Sequence, residues 1–82
     1  MSRVDARAAT LALLAARADD ATVCPSEVAR AVTEAAGDWR EAMPEVHAAV
    51  DQMVSEGLIG LSWKGQTLAT RAGPYRIGRS GG

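Results

Sequence analysis

The 82-residue sequence contains no phenylalanine, and Trp39, Trp63 and Tyr75 are its only aromatic rings of that class. Its core must therefore be assembled from Leu, Val and Ile side chains around two Trp rings. The 48% apolar content overstates that core, because seventeen positions are Ala, which buries little area. A single cysteine, Cys24, excludes an internal disulfide and makes a reducing compartment the default. No apolar run approaches bilayer length, so no membrane partner is expected. Acids are absent after Gly57, and Lys and Arg are absent between Arg40 and Lys64. The net charge of −1 supplies no global pull toward nucleic acid or membrane.

What is present is helical first and strand-like last. Ser2 and Asp5 stand in a capping-box spacing ahead of a helix from Arg3 to about Ala18. Val4, Leu11, Leu14, Ala15 and Ala18 share one side of it, and Leu13 projects almost opposite with Ala6, Ala9 and Ala16. A helix apolar on two sides is sandwiched or shared, which makes a homodimer through this helix a candidate. Arg7, the run Ala8–Ala16 and the triplet Ala16-Arg17-Ala18 imitate a short signal peptide. Asp5 and the brevity of the run favour a helix and a cytoplasmic protein instead.

Thr22-Val23-Cys24 is β-prone, and Pro25 opens a second helix with Val28, Val32 and Ala35 as its inward stripe and Gly37 at its end. Asp38-Trp39-Arg40-Glu41 starts one further turn, with Trp39 expected as a core residue at the corner between helices. Met43, preceding Pro44, is expected outside helical geometry. A third helix runs from Pro44 to Gly57, with Val46, Val50 and Met53 inward and Ala49 and Val54 at the edge. Gly57 provides a left-handed stop, after which Leu58 is expected to pack under the last turn.

The period then changes to two. Ile59, Leu61 and Trp63 face one way, Lys64-Gly65 forms a turn, Thr67–Thr70 returns, and Tyr75-Arg76-Ile77 forms a last edge strand. The expected architecture is mainly α (α+β), a winged helix-turn-helix of three principal helices and a small antiparallel β wing. It fills one domain over 1–79, residues 80–82 form a disordered tail, and Arg79 is read with that loose end.

Four blocks carry a resemblance: Thr22-Val23-Cys24-Pro25-Ser26-Glu27-Val28-Ala29-Arg30, then Trp39-Arg40 followed by Met43-Pro44 and Val46, then Lys64-Gly65, then Gly73-Pro74 with Arg76. With its CPSEVAR and WRxxMP motifs the chain resembles a small bacterial domain-of-unknown-function family that is winged-helix-like. The resemblance covers about Leu11 to Ile77 and implies a fold without an activity. Where that family often has a basic residue after the Val of helix three, this chain has His47.

Helix three would lie in the major groove if the fold binds DNA, with Gln52 placed to pair with adenine and Ser55 to reach a phosphate or base. Glu45, Asp51 and Glu56 on the same helix would repel phosphates. The wing offers Lys64, Arg71, Arg76 and Arg79, with Trp63 as a stacking ring; the bland alternative is edge-strand protection. Cys24 at a helix start could ionise, though a buried, inert thiol is the default. His47 and Asp51 are spaced to pair across one turn.

No P-loop, dinucleotide fingerprint, metal-ligand cluster or nucleophile motif is present, so no enzyme activity, catalytic residue, cofactor or metal is expected. Function class is not settled by the fold. The leading expectation is a regulatory module that binds double-stranded DNA weakly through its wing. The alternative is a protein–protein interaction adaptor that has kept the fold without the DNA charge pattern, and a thiol sensor resting on Cys24 is a third.

Overall fold

The computed structural model describes residues 5–33, 37–71 and 73–80. Three helices are followed by a three-stranded antiparallel sheet, an α+β arrangement consistent with winged-helix topology. Helix α1 spans Ala6–Ala15, α2 spans Pro25–Thr33 and α3 spans Met43–Ser55, with a 3₁₀ turn at Trp39–Ala42 leading into α3. Strands β1 (Ile59–Trp63), β2 (Gln66–Leu68) and β3 (Arg76–Arg79) lie in the order β2-β1-β3.

Asp5 itself caps α1, accepting from the Ala8 N–H at 2.8 Å; Ser2 lies outside the described residues. The buried residues of α1 are Ala6, Ala9, Thr10 and Leu14, so of the stripe through Leu11, Leu14, Ala15 and Ala18 only Leu14 is buried. Small residues let α1 approach α2 and α3, and Thr10 is buried at no polar cost because its hydroxyl donates to the Ala6 carbonyl at 2.8 Å. Leu13 is half-buried against the core of its own chain, whereas Leu11 is 43% exposed. A homodimer through α1 would thus rest on Leu11 rather than on Leu13.

In α2, Val28, Ala29 and Val32 are buried; Ala35 lies outside the described residues. Met43 is the first residue of α3, at φ −57° and ψ −41°, correcting the expected break before Pro44. The 3₁₀ turn already follows a helical path, and continuing it outweighs the steric preference of a residue before proline. Val46, Val50 and Met53 are fully buried, with Ala49 and Val54 packed at the edge.

Gly57, at φ +77°, ends α3 as expected. The Leu58 N–H donates to the Met53 carbonyl and the Gly57 N–H to the Val54 carbonyl, the paired closure of a Schellman motif. The Leu58 side chain, however, is 41% exposed, because strand alternation gives the inward position to Ile59.

Lys64 and Gly65 both have positive φ, 51° and 81°, forming a two-residue hairpin turn that sets Trp63 opposite Gln66. That register starts β2 at Gln66. The strand ends at Leu68, earlier than the expected Thr70, as the chain leaves the sheet to bring Arg71 to α3. Leu61 pairs with Leu68 on one side and Ile77 on the other. Val23 bridges Ile77 through reciprocal backbone bonds of 2.7 and 2.8 Å, so β3 is flanked on both sides rather than forming the edge.

Arg79 belongs to β3 and is tied to the end of α1, correcting its placement in a loose tail. Trp39 packs against the core but is only half-buried, correcting its assignment as a core residue.

Candidate interaction surface between helix three and the wing

Helix α3 exposes Ala48, Asp51, Gln52 and Ser55. The Ser55 hydroxyl is already committed, donating to the Gln52 carbonyl at 2.8 Å. Asp51 and Arg71 form a two-pronged pair, Nε to Oδ1 and the terminal nitrogen to Oδ2, both at 3.0 Å. This bond holds the Asp51 carboxyl below the usual carboxylate range and fastens the chain after β2 to α3. Between them lies an open groove of about 430 Å³. Val54, Leu61 and Ala69 give it apolar lining, and Asp51, Arg71 and Ser55 line it with polar groups.

The wing arginines are bonded within the chain. Arg76 donates from Nε to the Thr22 hydroxyl at 2.6 Å and from a terminal nitrogen to the Thr22 carbonyl at 3.2 Å. Arg79 donates to the Leu14 and Arg17 carbonyls at 2.7 and 3.1 Å and to Asp19 at 2.9 Å. Arg7 and Arg17 are likewise paired, with Glu56 and Glu27. Lys64, at the turn tip beside the 38%-exposed Trp63, has no polar partner among the described residues. Gln52 is exposed on α3.

Residues 3–80 match the family described as a protein of unknown function, DUF3253. The chain belongs to the DUF3253 family. No curated protein matches it.

In this DUF3253 member, His47 does not pair with Asp51 as its spacing suggested. Its Nδ1 lies 2.7 Å from the Tyr75 hydroxyl, while Asp51 is taken by Arg71. Burial, then the Arg71 charge, lowers the His47 pKa. Burial pushes the Tyr75 phenol up to about 12. Tyr75 is 4% exposed, and this polar pair between α3 and the entry to β3 was missed from sequence because the two residues are 28 positions apart.

Cys24 is half-buried rather than enclosed, with its Sγ 3.1 Å from the Ser26 hydroxyl oxygen. Burial raises its pKa, but the Ser26 side-chain and backbone bonds and the Arg76 charge outweigh this and leave the thiol below its ordinary value. No cluster of three His, Cys, Asp or Glu residues suits a metal ion among the described residues. No helix among them is long and apolar enough to cross a membrane.

A second cluster forms where the two sequence blocks meet. The guanidinium carbons of Arg30 and Arg40 lie 4.9 and 4.8 Å from the centre of the Trp39 ring. Neither arginine was singled out from the sequence, since a separation of ten residues across a helix end carries no periodic signal.

Proposed function

We propose that this DUF3253 domain is a protein-interaction module that uses the winged-helix-like fold without relying on DNA. The observation that carries this reading is the internal use of the wing cations: Arg71, Arg76 and Arg79 are all bonded within the chain. DNA affinity rests largely on cations that neutralise phosphates. Here α3 offers none, while Glu45, Asp51 and Glu56 are acidic.

The groove between α3, Leu61 of β1 and the segment after β2 instead suits an apolar side chain of a partner protein. Its charged lining is an ion pair with no net charge, so it would select by shape more than by field. Strand β2, which leads into the groove-lining residues Ala69 and Arg71, has no neighbour on its outer side among the described residues, which leaves backbone groups for an extended partner segment. A second reading, weak duplex binding through the wing tip, is favoured only by Lys64 and the neighbouring Trp63.

A photoreactive amino acid at Ser55 tests the choice in cells. Protein adducts that resist nuclease and disappear when Ala69→Arg fills the groove would support the module reading. Adducts destroyed by nuclease, or protein adducts indifferent to Ala69→Arg, would refute it.

A further inference from the structure

Between Asp19 and Glu56 the chain carries nine acids and two fixed cations, and those two cations, Arg30 and Arg40, meet at one aromatic ring. Both guanidinium carbons fall inside the ~6 Å range of a cation–π contact. They therefore stand no farther apart than the sum of their two distances to the Trp39 centre. Each charge is drawn to the Trp39 ring, which offsets part of whatever repulsion they feel at that separation. Stacking uses the face of a guanidinium and leaves its in-plane N–H donors available.

Among the described residues no carboxylate pairs with Arg30, and the ion pair of Arg40 with Asp38 is long, at 3.7 Å. The same Asp38 oxygen already accepts from the Arg40 backbone N–H at 3.0 Å, capping the 3₁₀ turn. Arg30 and Arg40 are both exposed. Trp39, half-buried against the core, anchors the pair on α2 and on the turn that leads into α3.

We propose that the Arg30–Trp39–Arg40 cluster is a binding site for the carboxylates of an acidic peptide segment on a partner protein. This rests on the protein-interaction reading and adds a second contact, which shares no residue with the groove beside Arg71. A compact pair of carboxylates can be met in plane by two guanidinium forks, the strong form of charge-assisted bonding. A long polyanion such as nucleic acid fits less well. Its flanking phosphates would meet the exposed acids Asp38 and Glu41, which border the cluster. The partner segment is therefore short and locally acidic.

The indole N–H signal of Trp39 reports on this site directly, with Trp63→Phe removing the other indole. A six-residue peptide of Asp and Glu should shift that signal saturably at low salt, and the shift should weaken as salt is raised. The matching peptide of Asn and Gln should not move it. Arg30→Gln and Arg40→Gln should each weaken the acidic peptide at least several-fold while the amide spectrum stays native, since both side chains lie on the surface. A (dT)₁₀ oligonucleotide should bind more weakly than the peptide. No shift with the acidic peptide, an equal response to the neutral one, full binding in both arginine variants, or tighter binding of (dT)₁₀ would each overturn the proposal. Because Trp39 reads this cluster and the Ser55 cross-link reads the groove, either can fail without the other.

Discussion

Replacing Arg79 by Met removes every donor of its guanidinium while keeping an apolar stem of similar length, so it isolates what those bonds contribute. The head group stitches β3 to the C-terminal end of α1, bonding the Arg17 carbonyl and the Leu14 carbonyl, which also accepts from the Arg17 N–H at 3.1 Å. Its third bond, to Asp19, is of a different kind, because the Asp19 side chain is 96% exposed and water competes for it. An exposed ion pair of that sort contributes at most ~0.5 kcal/mol. The two carbonyl bonds, discounted for the 38% exposure of the Arg79 side chain, contribute about 1–2 kcal/mol together. For a domain of this size that corresponds to a fall of ~4–16 °C in thermal midpoint for Arg79→Met. Asp19→Asn should lower it by no more than ~4 °C. Circular dichroism melts of the two variants, with amide exchange at Ala16–Ala18 and Ile77–Arg79, read the difference. High salt should erase the small Asp19 effect and leave most of the Arg79 effect. An unchanged midpoint in Arg79→Met, or equal losses in both variants, would mean that Arg79 is not structural and is available for a partner.

Two further outcomes follow from the core and from the buried polar pair. Met53→Ala, at a side chain with 0% exposure, should cost about 2–5 kcal/mol out of the ~4–12 kcal/mol available to a domain of this length; a urea midpoint near that of the parent would refute the packing described for α3. Because burial and Arg71 hold the His47 pKa below its ordinary value, the unfolded chain takes up the proton first as pH falls through ~6.5. Stability should therefore be full above that pH and decline below it toward the folded-state pKa, and His47→Gln should flatten this part of the profile. A parent profile already flat between about pH 7.5 and 5.5 would contradict the pair.

The helical frame was legible because its signals are local. Val46, Val50 and Met53 recur at helical steps, Gly57 supplies the left-handed stop, and Lys64-Gly65 names its own turn. The inward face of α1 was not legible, since Ala on both sides leaves the periodicity without contrast and the choice falls to tertiary packing. Leu13 and Leu11 exchanged roles for that reason. The candidate site was harder still. Lys64, Arg71, Arg76 and Arg79 read as one basic patch in a segment without acids, but Arg71, Arg76 and Arg79 are bonded to Asp51, Thr22 and Asp19, which are distant in sequence. Charge density along a chain counts cations without showing which of them are already bonded within the fold. The same limit hid the meeting of Arg30 and Arg40 on Trp39 and the bond between His47 and Tyr75.

The claim that the winged-helix frame serves protein recognition rather than DNA binding is tested most directly by an amide-shift titration with mixed-sequence duplex DNA at low and at physiological salt. The internal bonding of the wing arginines predicts no saturable movement at Gln52, Ser55 or Trp63–Gly65, even at low salt. Saturable, salt-dependent shifts clustered on those residues, with the Arg71, Arg76 and Arg79 side-chain signals moving alongside them, would contradict it.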